Sequence, residues 1–177
     1  MIRQLISPEY AALNRQLHQE REDYGATDSN GPQVVEFCKR SGFRTVLDYG
    51  CGKGGLKRSI EQLDPSLTVF EFDPAIAGKT ELPADPVDLI VALDVMEHIE
   101  PEYLDAVLET MRALRPKCVV MKIALTPAEK SLPDGRNAHI LLRTPEWWES
   151  ELGKHFVAIS GQVVGAGLYY AFVGRPL

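Results

Sequence analysis

Apolar positions along this chain fall into two patterns: short unbroken runs, and longer stretches in which they recur every three or four residues. Unbroken runs bounded by turn residues predict buried strands, and spaced ones predict amphipathic helices. Pro8 to Glu22 carries Tyr10, Leu13 and Leu17 at helical spacing, with Ser7 placed to cap it ahead of Pro8. Asp23 to Gly31 is turn-rich, and Pro32 to Lys39 predicts a second helix. Arg44 to Tyr49 is a β-branched strand that runs straight into a glycine cluster. Helix Leu56 to Leu63, strand Leu67 to Phe72 and strand Val87 to Leu93 follow. Helix Pro101 to Leu114, strand Cys118 to Leu125, helix Pro145 to Leu152 and two strands around Gly165 and Gly167 complete the chain.

Alternating strands and helices with continuously apolar strands predict a mainly parallel sheet covered on both faces. The last two strands have no helix between them, which predicts a closing hairpin and one antiparallel edge strand. The expected fold is α/β, a Rossmann-like, doubly wound three-layer sandwich with a C-terminal antiparallel hairpin. No repeat or linker interrupts the chain, so 1–177 is expected to be one domain, with a helical lid segment over 1–42 and a Rossmann-like core over 43–177. In such sheets ligands sit at the carboxyl ends of the strands near the topological switch point. That brings the loops after Asp48, Phe72 and Leu93 together.

The glycine cluster, Gly50-Cys51-Gly52-Lys53-Gly54-Gly55, satisfies the dinucleotide pattern G-x-G-x-x-G through Gly50, Gly52 and Gly55. Asp48 argues against that reading. A carboxylate two residues ahead of the first glycine repels a pyrophosphate and suits a cationic ligand, such as the α-amino group of a methionine moiety. The second strand ends in Glu71-Phe72-Asp73, and Asp73, at the strand end, is placed to accept hydrogen bonds from ribose hydroxyls.

Three stretches, VLDYGCGKGGL, VFEFDPA and VDLIVALDVMEHIEPEYLDAVLETMRALRPKCVVMKI, together resemble the class I S-adenosylmethionine-dependent methyltransferases. The resemblance covers roughly Phe43 to Leu125 and implies S-adenosylmethionine as cofactor. Its implied cofactor contacts are Asp48, Tyr49, Gly50, Cys51, Gly52, Gly54, Asp73, Pro74, Leu93 and Asp94. The chain departs from the family between Asp73 and Val87, where only PAIAGKTELPADP stands in for a helix and a third strand. A shortened third-strand region is therefore expected, with Asp85 the nearest candidate for an adenine partner. Cys51 reads as a small packing residue in the loop.

Candidate chemistry lies in Asp94-Val95-Met96-Glu97-His98. If a helical turn starts there, Asp94, Glu97 and His98 share one face. This D-x-x-E-H string resembles the E-x-x-E-H of ubiquinone-pathway O-methyltransferases and of small-RNA 3′-end 2′-O-methyltransferases. In those families such residues hold a divalent metal over the substrate hydroxyl, and the RNA enzymes add a later histidine, for which His139 stands at a comparable place. Asp94, Glu97, His98 and His139 are thus a candidate metal set for Mg²⁺, Mn²⁺ or Zn²⁺. The commoner use of the string is metal-free, lining the cofactor pocket. Without metal, His98 or His139, supported by Glu97, is the candidate general base.

The loop SLPDGRNAH, Ser131 to His139, is dense in polar groups, and Arg136 and Asn137 are candidate acceptor contacts. Trp147 and Trp148 read as core, one of them bordering the pocket at most. His18 and Tyr24 are candidate lid residues, with a solvated helix face the plainer reading for His18.

Composition narrows the class. Net charge is −6, which disfavours nucleic acid and favours a small-molecule or nucleotide-like substrate, or a protein partner. Three cysteines without CxxC spacing and an N-terminus too polar for a secretory signal point to the cytoplasm. No apolar run is long enough to span a membrane. The expected activity is methyl transfer to O or N of such a substrate. The rivals are a non-catalytic S-adenosylmethionine-binding subunit and an NAD(P)-dependent oxidoreductase.

Overall fold

The computed structural model describes residues 4–21, 24–25 and 29–177. Five α-helices and six strands follow in chain order: α1 (Pro8–Glu20), α2 (Gly31–Ser41), β1 (Thr45–Tyr49), α3 (Gly55–Leu63), β2 (Thr68–Phe72), β3 (Leu89–Leu93), α4 (Leu104–Ala113), β4 (Cys118–Ala124), α5 (Pro145–Leu152), β5 (Phe156–Val164) and β6 (Tyr169–Pro176). The strands form one sheet in the order β2-β1-β3-β4-β6-β5. β1 pairs in parallel with β2 and β3, and β3 with β4, whereas β6 runs antiparallel to both β4 and β5.

The central strands β1, β3 and β4 are buried on both faces because successive side chains enter different cores. Val46, Val69, Leu89 and Val91 meet Val34, Val35 and Cys38 of α2 and Leu56 and Ile60 of α3. Leu47, Ile90, Ala92, Val119 and Met121 meet Val107, Leu108 and Met111 of α4 and Trp148 and Leu152 of α5. This is the expected three-layer sandwich.

Two expectations about the sheet's ends are sharpened. The antiparallel strand is not at the edge: β6 lies between β4 and β5, and β5 forms the outer edge. Between Phe72 and Leu89 the chain makes neither helix nor strand, so β2 is the opposite edge and the third strand is missing outright. A tight turn takes its place, with the amide of Asp73 donating to the carbonyl of Lys79 at 2.7 Å.

The N-terminal helix begins where Ser7 predicts, since the Ser7 side chain accepts from the amide of Tyr10. The helix ends at Glu20, and the predicted end at Glu22 and part of the following turn lie outside the described residues. α1 does not join either main core. Tyr10 and Leu17 pack with Leu132, beside Leu13, Tyr24 and Ile140, which lays the helix against the loop that follows β4.

Candidate active site

Every parallel strand ends at the same rim of the sheet, and a cavity of about 580 Å³ opens there. The strand ends of β1, β2 and β3, the segment after β4, and α1 with Tyr24 and Gly25 all contribute to its wall.

At one end lies the glycine loop. The amides of Gly50 and Cys51 both donate to the carbonyl of Phe72, at 2.7 and 3.1 Å, which folds the loop back over β2. Gly50 sits at φ +76, and a Cβ there would stand 2.6 Å from the Val95 side chain. Gly52 sits at φ +49, and its Cβ would meet the carbonyl of Gly25 at 2.6 Å. Glycine is required at both positions by conformation and by close approach.

Three carboxylates face this loop. Asp48 is 5 % exposed, and burial, aided by Glu71, pushes its carboxyl up to about 7. Asp73 is also buried, accepting from the amides of Gly52 at 3.0 Å and Ala75 at 2.9 Å, one on each oxygen. Each oxygen keeps a lone pair for a further donor such as a ribose hydroxyl. Glu71 turns to Lys79, at 2.9 Å.

The remaining expected contacts separate into liners and supports. Pro74, Leu93 and Cys51 line the cavity. The Cys51 thiol is pushed up to about 12 by burial, which fits a packing role. Tyr49 borders the cavity but sends its ring into the core against Phe72, with centroids 4.9 Å apart. Gly54 is absent from the wall and instead starts α3 at φ +74. Asp85 is exposed and away from the cavity, so the expected adenine partner is not there.

At the other end, Met96–His98 form a 3-10 turn rather than an α-helical face. Asp94 lines the cavity at φ +58, its carboxylate 2.8 Å from Lys122 Nζ, and it is not among the groups whose ligand atoms cluster with Glu97 and His98. His139 takes that place. Glu97, His98 and His139 offer ligand atoms that all lie within 4.8 Å of one another.

Glu97 is fully buried; its Oε1 accepts from the amide of Ala124 at 3.0 Å, and its Oε2 has no partner among the described residues. His98 Nδ1 lies 2.8 Å from the carbonyl of Ala138, and His139 Nδ1 lies 2.6 Å from that of Thr126. A carbonyl only accepts, so each Nδ1 carries a proton, and Nε2 is the nitrogen that can accept a proton or ligate an ion. The rings meet edge to face with centroids 4.9 Å apart. Burial, and His139 next, hold His98 down to about 4, while burial lifts Glu97 to about 8.

Arg136 and Asn137 do not line the cavity. Arg136 pairs with Asp134 at 2.7 Å on the surface. Asn137 holds the loop that carries His139: its Oδ1 accepts from the amides of Ala128 and His139, and its Nδ2 donates to the carbonyl of Ala128. Trp148 is buried and Trp147 half-buried, both away from the cavity. His18, by contrast, is on the cavity wall, its ring 4.7 Å from that of Tyr24, whose edge meets His98 at 6.1 Å. Its solvated-face reading is corrected. Sequence reasoning missed Lys122 and Lys79. A lone lysine inside the apolar β4 run was the available signal for the first.

A family model described as a methyltransferase domain matches residues 11–156. The chain belongs to the methyltransferase-domain family. That removes the oxidoreductase reading. No curated protein matches the sequence. Among solved structures, the methyltransferase is similar to the 1,6-didemethyltoxoflavin-N1-methyltransferase of Burkholderia thailandensis, with bound 1,6-didemethyltoxoflavin and S-adenosylhomocysteine. The two are 19% identical with a TM-score of 0.68, covering 99% of this chain and 93% of that one. Human N-acetylserotonin methyltransferase in complex with SAM has a TM-score of 0.60 at 19% identity, over 94% of this chain and 57% of that one. Mitomycin 7-O-methyltransferase has 0.61 at 16%, over 84% and 53%. The match spans barely more than half of these last two enzymes.

Proposed function

We propose that this methyltransferase moves a methyl group from S-adenosylmethionine to an oxygen or nitrogen of a small or nucleotide-like molecule. One observation carries the reading. A single cavity joins the glycine loop, Asp48 and Asp73 at one end to His98 and His139, beside buried Glu97, at the other. In this reading Asp73 receives the ribose and Asp48 the α-amino group. The acceptor's nucleophile then faces the histidine pair for an in-line displacement at the methyl carbon. The small-molecule acceptors named for the toxoflavin-pathway and mitomycin enzymes support the same acceptor class.

The proton that the nucleophile gives up leaves toward Glu97, His98 and His139. Two imidazole Nε2 lone pairs and a carboxylate oxygen unpartnered among the described residues also fit a divalent ion, whereas Asp94, committed to Lys122, does not join them. An ion bound there would lower the pKa of an acceptor hydroxyl.

Equilibrium binding of S-adenosylhomocysteine, followed by single-turnover transfer of a labelled methyl group to metabolite pools, tests the proposal. Tight binding with transfer is expected. Binding without transfer to any acceptor would instead identify a cofactor-binding subunit.

A further inference from the structure

We propose that Lys79 is a positioning residue that holds the glycine loop and its surrounding carboxylates in the arrangement that receives the cofactor. The inference rests on the cofactor assignment above and concerns a residue in the segment where the family's helix and third strand are missing. Lys79 Nζ donates to the carbonyl of Gly52 at 3.0 Å and to Glu71 Oε1 at 2.9 Å. Its own carbonyl accepts from the amide of Asp73. One residue therefore ties the middle of the glycine loop to the last acidic side chain of β2 and to the ribose-binding candidate. The packing leaves no slack, since a Cβ on Gly54 would collide with both the Glu71 carboxylate and Lys79 Nζ.

The position also solves an electrostatic problem. Asp48, Glu71 and Asp73 converge at the loop, and like charges this close disfavour one another. Burial first, then Glu71 and Asp73, raise the Asp48 carboxyl, and Lys79 opposes them. Other charged or titratable groups near the loop, among the described residues, include Lys57 of α3, 4.0 Å from Glu71, His18 of α1, and Tyr49, Cys51 and Lys53 of β1 and the loop itself. Without Lys79, Asp48 would hold its proton to higher pH and would lose its attraction for the cofactor's ammonium group.

The test is calorimetric titration of the full chain with S-adenosylhomocysteine from about pH 5.5 to about pH 8.5. Wild type, Lys79→Met, Lys79→Arg and the double variant Lys79→Met/Glu71→Gln are compared. Wild-type affinity is expected to fall as the pH drops through the Asp48 titration. Lys79→Met should bind about tenfold more weakly at neutral pH, with its midpoint displaced upward by about one unit. Lys79→Arg should stay near wild type, and the double variant should bring the midpoint back. If Lys79→Met fails to fold, Glu71→Gln alone reads the same network and must move the midpoint down.

An unmoved midpoint in Lys79→Met, even with weaker binding, overturns the proposal, because a purely structural prop would behave that way. So does a double variant that leaves the midpoint displaced. Wild-type protein that binds no S-adenosylhomocysteine at any pH overturns the cofactor assignment itself and this inference with it.

Discussion

Asp48 is a costly residue for the empty protein. Its carboxyl is 5 % exposed and lifted to about 7, from an ordinary value near the bottom of the carboxylate range. A raised folded-state pKa means that the native state keeps a proton the unfolded chain has released. The unliganded fold therefore loses stability as pH rises from about 4 through about 7, a loss bounded by about 4 kcal/mol for a three-unit shift. Asp48→Asn should accordingly melt higher than wild type at pH 8 without ligand, with the gap closing toward pH 4, while binding S-adenosylhomocysteine far more weakly. Parallel thermal melts and titrations check both halves, and an Asp48→Asn variant that keeps its affinity would remove Asp48 from the cofactor site. His139 makes the opposite trade. Its Nδ1 is anchored to Thr126 and its Nε2 faces the Glu97 side of the cluster, 4.0 Å from Oε1. His139→Ala should leave cofactor affinity within a few-fold while lowering turnover by about 10²-fold or more, the range for a group that handles a proton in the transition state.

Among the elements, α1 most clearly joins local sequence chemistry to the site. Ser7 caps the helix, and its amide and hydroxyl also donate to the Glu100 carboxylate at 2.8 and 2.6 Å, just beyond His98. Losing a cap costs about 1 kcal/mol and losing a charge-assisted bond somewhat more. Ser7→Ala should therefore lower the melting midpoint by several degrees and speed proteolysis within α1; an unchanged cleavage rate would show that the Ser7–Glu100 contact does not hold the helix in place. The same helix marks what sequence patterning can reach. Its cap and first turns were legible because they depend on Ser7, Pro8 and their immediate neighbours. The turn of the glycine loop, with Asp48 and Asp73 on the cavity beside it, was legible because a strand end, a turn and a carboxylate follow one another closely. That Asp94 pairs with Lys122 rather than joining the Glu97 group was not legible, because Lys122 comes from a different strand. Arg136 and Asn137 pointed to the right loop, yet they brace it rather than face the cavity, a distinction decided by backbone partners at Ala128 and His139.

For the molecule as a whole, two cores on either side of one sheet support a single rim where all the site's chemistry collects. The fold was recoverable from apolar runs because parallel strands buried on both faces leave an unbroken signature. The interior position of β6 was not, since strand order depends on long-range pairing that no local pattern encodes. The missing third strand was visible as a shortage of residues, but its replacement by a lysine-centred turn was not. Among the described residues no helix is long and apolar enough to cross a membrane.

Among the described residues, the N-terminal segment is tied to the rim at several points, among them Glu100, which accepts from Ser7, and the glycine loop, where the carbonyl of Gly25 accepts the amide of Lys53 at 2.8 Å. If that segment covers the bound donor, entry of the donor and exit of the spent donor each require such ties to loosen. The slow step of a cycle would then be traffic through the door rather than chemistry in the room, and mutations at Ser7 or Gly25 would change exchange rates without touching the methyl group's path.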